Sequence, residues 1–248
     1  AYFQKGLVLK TLKRYDEALS AFSAGLTLDP GNFEGWFNKG LILTLLKRYE
    51  EAQTSFDRAI VLRQDSYDAH YEKGFALFNL KRYEEAIEAF GRALAIDDRN
   101  RDAHFEQGLA YAMLGRYDAA EAAFSKALSL DKDFAEGYYN QGLALENLGR
   151  YKEATDAFDQ MLVRNPEYSP AWFHKGIAFE YLGRDEEAVD AFGKARRNDP
   201  HNISLLFSEG NALVRLSKFS QAVEIFDTAL TINPENGDIL FEKGRALA

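Results

Sequence analysis

Cysteine is absent from the sequence, which excludes disulfides and thiolate-held metals and suits a reducing compartment, so the cytoplasm is the expected location. Positive charge is scarce: 30 lysines and arginines face 39 aspartates and glutamates, a formal net charge of −9. A phosphate backbone needs a basic patch, so nucleic acid is not an expected partner. No apolar run approaches the roughly 18 residues of a membrane span, so no membrane-crossing segment is expected. Nothing at the start reads as a secretory leader, and Ala1 falls in mid-repeat, so the chain is treated as a candidate excerpt of something longer. No stretch reads as a strand, and no Ser/His/Asp, Cys/His or glycine-rich phosphate-loop pattern is present.

What is present is a repeat. Glycine returns at Gly6, Gly40, Gly74, Gly108, Gly142, Gly176, Gly210 and Gly244, each 34 residues after the last. Twelve residues on comes alanine, from Ala18 to Ala222, and sixteen on comes phenylalanine, from Phe22 to Phe226. A fixed period of this length with small residues at fixed offsets marks a repeat array, one continuous unit rather than a closed ball. Within one period, Trp36, Gly40, Leu43 and Leu46 share one helical face. A Lys47-Arg48 joint follows, then Tyr49, Ala52, Phe56, Ala59 and Ile60 mark a second amphipathic helix. Pro30, Pro166, Pro200 and Pro234 close units in one register, where proline cannot continue a helix. Units ending at Gln64, Asp98 and Lys132 use polar residues there.

This pattern resembles the tetratricopeptide repeat, in a prokaryotic-type tandem array. Trp36, Gly40, Ala52, Phe56 and Ala59 match the family pattern directly, and Trp172, Gly176, Ala188, Phe192, Ala195 and Pro200 match it again. Departures are Gly25 and Met161 for the second alanine, and Lys39, Lys73 or Gln107 where many members carry leucine. The resemblance implies an all-α solenoid, a right-handed superhelix whose first helices line a concave groove. Seven tandem helix-turn-helix repeats are expected in one solenoid over 1–248: units 1–32, 33–66, 67–100, 101–134, 135–168, 169–202 and 203–236, with a terminal helix over 237–248. Glycine and alanine allow close helix approach, and no unit buries its apolar faces alone.

The chemistry-bearing residues have structural readings. The acid pairs Asp16-Glu17, Glu50-Glu51, Glu84-Glu85 and Glu186-Glu187 sit in the first turn of second helices, where they favour the helix dipole and do not face each other. Preceding arginines such as Arg48 and Arg82 are expected to complement the C-terminal ends of first helices. His70 and His104 hold the register of Trp36 and Trp172, so packing is expected; His174 is expected in the groove. Neighbouring repeats lie about 8–10 Å apart, too far for converging metal ligands. The expectation is therefore no catalysis, no metal and no cofactor.

By the family register, residues three before each glycine face the groove, an aromatic ladder that includes Phe3, Phe37, Tyr71, Phe105, Tyr139, Phe173, Phe207 and Phe241. An acidic row of Glu34, Asp68, Asp102, Glu136 and Asp238 runs beside it, joined by Glu72, Glu106, Glu146 and Glu180. Two readings stand together: the aromatics brace helices and the acids serve helix starts, or they bind a partner. The clamp that some family members use for acidic chaperone tails is missing. Its first pair would fall at Phe37 and Leu41 or Tyr71 and Phe75, its last at Asp102 and Glu106 or Glu136 and Asn140.

The expected function is a non-catalytic scaffold binding a basic or neutral peptide or protein segment with apolar anchors. The candidate contact residues are Phe37, Leu41, Tyr71, Phe75, Phe78, Phe105, Leu109, Met113, Tyr139 and Phe173, with Asp68, Glu72, Asp102 and Glu106. The strongest spot is expected on the third and fourth units. The alternatives are end-to-end self-association and a recruiting arm of a larger enzyme. The sixth unit is expected to be the softest, because Asp185 replaces a tyrosine and Arg196 and Asn198 replace Leu or Ile.

Overall fold

The computed structural model describes all 248 residues and consists of fifteen α-helices without strands. Contacts divide it into two compact units, Ala1–Asp131 and Lys132–Ala248. The first unit holds α1 (Tyr2–Thr11), α2 (Tyr15–Leu28), α3 (Phe33–Leu45), α4 (Tyr49–Leu62), α5 (Tyr67–Asn79), α6 (Tyr83–Ile96), α7 (Arg101–Met113) and α8 (Tyr117–Leu130). The second holds α9 (Ala135–Asn147), α10 (Tyr151–Arg164), α11 (Ser169–Tyr181), α12 (Asp185–Asn198), α13 (Ile203–Arg215), α14 (Phe219–Ile232) and α15 (Gly237–Leu247). Odd-numbered helices are the first helices of each repeat and even-numbered ones the second.

Helix starts follow the sequence chemistry. The side chains of Asn32, Ser66, Asn100, Asn202 and Asn236 accept from backbone N–H groups three residues on, opening α3, α5, α7, α13 and α15. The joint between paired helices turns through one left-handed residue. Gly115, Gly149 and Gly183 occupy it in three repeats, whereas Lys13, Lys47, Lys81 and Ser217 take it in the others, with φ between 55° and 60°. A side chain there carries a steric penalty that glycine escapes.

The 34-residue glycine and the phenylalanine sixteen residues later form one contact. A Cβ on Gly40 would lie 2.5 Å from the Phe56 ring, one on Gly74 2.7 Å from Phe90, and one on Gly142 2.5 Å from Phe158. No methyl group fits, so each phenylalanine lies flat against the bare backbone of the preceding helix. Phe22, Phe56, Phe90, Phe124, Phe158, Phe192 and Phe226 are all essentially inaccessible to solvent. Each such side chain contributes roughly 1.5–3 kcal/mol by leaving water. Gly25, which departs from the family alanine, makes a similar contact: a Cβ there would meet the Phe3 ring at 2.7 Å. Met161 fills the same register in α10 and is buried.

The arginines before second helices stand just past the ends of first helices and make a further contact. Arg14, Arg48, Arg82, Arg150 and Arg184 fork onto Glu17, Glu51, Glu85, Glu153 and Glu187, three residues ahead. Two parallel N–H donors match one carboxylate, which fixes the guanidinium's direction. The second acid of each pair is thereby occupied.

Within each unit, successive first helices touch one another while successive second helices do not. First helices therefore line the tighter, inner side, where the ladder and the acids sit.

Candidate functional site

The ladder aromatics from Phe3 to Phe207 each rest on the second-helix phenylalanine of their own repeat. Phe37 and Phe56 have centroids 6.0 Å apart, Tyr71 and Phe90 5.7 Å, Phe105 and Phe124 5.6 Å, Tyr139 and Phe158 6.1 Å, and Phe173 and Phe192 5.9 Å. These separations suit tilted aromatic packing. Bracing is thus real, yet these five rings remain only partly buried.

On the inner side of the first unit, Phe37 and Leu41 lean on the Leu43, Ala52, Phe56 and Ala76 cluster. Tyr71, Phe75 and Phe78 lean on Leu77, Ala86, Ala89 and Phe90. Phe78 also meets Tyr83 edge-on at 5.4 Å. Leu109 is half-buried on α7. Met113 differs from all of these: it is 58% exposed.

The acids beside them are unequal. Asp102 receives two bonds from Arg101, at 2.9 and 2.6 Å, and the same guanidinium reaches Asp131 at 2.6 Å. Asp68 is exposed. Burial, followed by the Asp68 charge, pushes the Glu72 carboxyl above its ordinary value, with Lys10 pulling the other way. Burial and Asp102 do the same to Glu106. The Tyr71 hydroxyl is raised too, first by burial and then by Glu106, Asp102 and Glu72. The single cation pulling on Glu72 is Lys10 of α1, held by Asn38 through a 2.9 Å bond and itself lowered by burial. Lys10 and Asn38 were missing from the candidate set; Lys10 holds the same repeat register as Phe78, so the register alone would have found it.

In the second unit the corresponding surface is self-paired. His174 Nδ1 donates to Glu146 at 3.2 Å, with the rings of Tyr139, Phe158 and Phe173 packed around the imidazole. Tyr139 itself is pushed up to about 12 by burial, Tyr168 and Glu146. Arg215 bridges Glu180 and Asp185, the latter at 2.7 Å. Arg196 donates to Glu209, whose side chain is 5% exposed. Asp185 and Arg196, which the sequence marks as losses in the sixth repeat, are thus both in ion pairs.

His70 and His104 fill the tryptophan position of their repeats. Trp36 and Trp172 donate their indole N–H to the carbonyls of Pro30 and Pro166, at 2.9 and 2.7 Å. His70 and His104 make the same bond to Gln64 and Asp98 with Nε2. The lysines before the repeat glycine also have partners: Lys73 pairs with Asp57 at 2.6 Å, and Lys175 and Lys243 with Asp159 and Asp227 at 2.5 Å. Each pair ties one repeat to the last, where a leucine would only fill space. No group of three or more His, Cys, Asp or Glu is placed to hold a metal ion. No helix is long and apolar enough to cross a membrane.

No curated protein sequence matches the chain. Solved structures do. The crystal structure of YrrB, a TPR protein with an unusual peptide-binding site, superposes with a TM-score of 0.69 at 23% identity, covering 75% of this chain and 96% of that one. MamA superposes with a TM-score of 0.64 at 30% identity, over 66% of this chain and 96% of its own. The C-terminal part of a TPR repeat-containing protein from Cytophaga hutchinsonii reaches 0.83 at 15% identity, with 97% and 98% covered. The tetratricopeptide repeat family model matches residues 3–69, 46–101, 71–135, 139–203 and 207–248. With nearly every residue inside those matches, the chain belongs to the tetratricopeptide repeat family.

Proposed function

We propose that this chain is a non-catalytic scaffold that holds a basic or neutral peptide segment, with apolar anchors, against the inner side of α3, α5 and α7. The observation that carries the reading is the pair Glu72 and Glu106: two half-buried carboxylates without a hydrogen-bonded cation, beside Tyr71 and Phe105. A fold gains nothing from keeping charge there, since burying it opposes stability. A partner's ammonium or guanidinium group would relieve that penalty on binding, and Met113, Leu109, Phe75 and Phe78 offer apolar surface beside it. The likeness to YrrB, whose description names a peptide-binding site, supports the same class of partner.

The test is calorimetric titration of the chain with a lysine-flanked leucine peptide and with its aspartate-flanked counterpart. The lysine peptide should bind, more weakly at higher salt, and Glu106→Gln should weaken it. Binding of both peptides alike, or indifference to Glu106→Gln, would contradict the reading.

A further inference from the structure

The chain has two tryptophans, and each walls a cavity built the same way. Pro30, Trp36, Arg58, Val61 and Leu62 line one of 340 Å³ between α3 and α4. Pro166, Glu167, Trp172, Lys194, Arg197 and Asn198 line one of 300 Å³ between α11 and α12. The lining positions match four repeats apart, with proline and tryptophan kept, Lys194 standing at the place of Arg58, Arg197 at that of Val61 and Asn198 at that of Leu62. Tryptophan sits one residue before the ladder, about 100° around the helix from it, so neither cavity belongs to the inner face.

Three features give these cavities a chemical preference. The indole N–H bonds to Pro30 and Pro166 fix each ring in place. Cations stand over the rings: Lys39 lies 5.3 Å from the Trp36 centroid, and Lys194 4.5 Å from that of Trp172. Each cavity also has an exposed arginine, Arg58 or Arg197, that makes no ion pair within the chain. At the Arg58 register the other cations are answered: Arg92 by Glu88 at 3.8 Å, Lys126 by Asp98 at 3.7 Å, and Lys194, on the second cavity's own wall, by Asp190 at 2.7 Å. Arg197 stands three residues further on, at the register of Val61, so each cavity keeps one unpaired guanidinium, supplied from a different turn of the second helix. Apolar surface lies alongside in the first cavity, where Val61 is 72% exposed.

We propose that these two cavities are docking sites for an acidic peptide segment of another protein, whose apolar side chain seats against the indole while its carboxylate takes the arginine. This charge preference is opposite to that of the inner face, and the inference does not depend on the inner-face reading. Arginine presents two parallel donors to a carboxylate, and tryptophan with arginine is the pairing that commonly anchors interfaces.

Each cavity contains its own reporter, because no tryptophan lies elsewhere. In Trp172→Phe protein all indole emission comes from the first cavity, and in Trp36→Phe protein all of it comes from the second. The probe is a hexapeptide with two leucines flanked by aspartates; the control replaces the aspartates with lysines. The aspartate peptide should change the emission saturably in both proteins, and the lysine peptide in neither. Arg58→Gln in the Trp172→Phe background should weaken the response roughly tenfold, and Arg197→Gln should do so for the other cavity. Arg58 and Arg197 are exposed and unpaired, so these variants keep the fold, which a thermal melt checks. Absence of a saturable change, an equal response to the lysine peptide, or indifference to the arginine substitutions would overturn the proposal. An emission change that follows protein concentration alone would identify a second copy as the occupant and overturn it as well.

Discussion

The inner faces of the two units are built on the same core and answer their charges in opposite ways. In Ala1–Asp131, Glu72 and Glu106 are half-buried and raised by that burial. In Lys132–Ala248, Glu146 meets the His174 imidazole, Glu209 has Arg196, and Glu180 has Arg215 although burial still raises it. Beneath both lies the same repeat of bare glycine against phenylalanine. The difference shows that the glycine–phenylalanine contact carries the fold, leaving inner-face side chains free to vary. It also shows where charge is held at the expense of stability rather than for it.

The largest effect should come from breaking a pair in the second unit. Arg196→Ala leaves Glu209 buried without its cation, and stability measured by urea melts should fall by about 3 kcal/mol. Adding Glu209→Gln to that variant should recover much of the loss. If the single variant melts like the parent, the pair is not holding the second unit's inner face.

Next comes a check that the two scaffolds are equivalent. Gly74→Ala and Gly176→Ala each drive a methyl group into a phenylalanine ring, Phe90 or Phe192, and each should destabilise by about 2 kcal/mol. Gly244 has nothing within reach of a Cβ, so Gly244→Ala should be neutral or slightly stabilising through its helix propensity. Unequal losses at Gly74 and Gly176 would mean that the units differ in their cores as well as in their faces.

A smaller effect separates binding from packing. Phe78 rests on Tyr83, so Phe78→Ala should lower both partner affinity and melting temperature. Met113, being mostly exposed, is the cleaner probe. Met113→Ala should weaken binding of the lysine-flanked peptide by about 1 kcal/mol while the melting temperature stays unchanged.

The smallest effect is a pH dependence whose sign follows from burial. Glu72 is raised in the folded state, so its neutral form favours folding. The stability attached to it is complete below the ordinary carboxylate range and lost as pH rises through the raised value. Glu72→Gln should therefore gain about 0.5 kcal/mol at pH 7, a gain that disappears on acidification to about pH 4. The forked acids behave oppositely. Glu51 and Glu85 are lowered first by the arginine hydrogen bond, so their contribution is present at neutral pH and lost on acidification. A Glu72→Gln gain that persists at pH 4 would point to packing rather than charge.

Much of this was legible in the sequence because the repeat is enforced by contact. A glycine that must lie flat on a phenylalanine cannot drift, so Gly40 and Phe56 reveal helix pairs, their joint and their closing turn without a structure. His70 in the register of Trp36 likewise foretold a packing role, and the shared bond to a carbonyl six residues back explains it. Pairings across helices were not legible. Asp185 reads as a missing tyrosine until Arg215, thirty residues away, is seen beside it, and Asp102 reads as a free acid until Arg101 folds back on it. The fork of Arg48 onto Glu51 was not legible either, because placements for a helix-terminal arginine differ only in local geometry. Side-chain direction, unlike repeat register, is not constrained by the period.

The most direct test of the central claim, that the first unit's inner face keeps its acids for a partner, is an amide chemical-shift titration of the whole chain with the lysine-flanked leucine peptide. The account predicts salt-sensitive shifts centred on the inner-side residues of α3, α5 and α7, with Glu72 and Glu106 among the most affected and α11 and α13 quiet. Shifts centred on α11 and α13, or none at all, would contradict it.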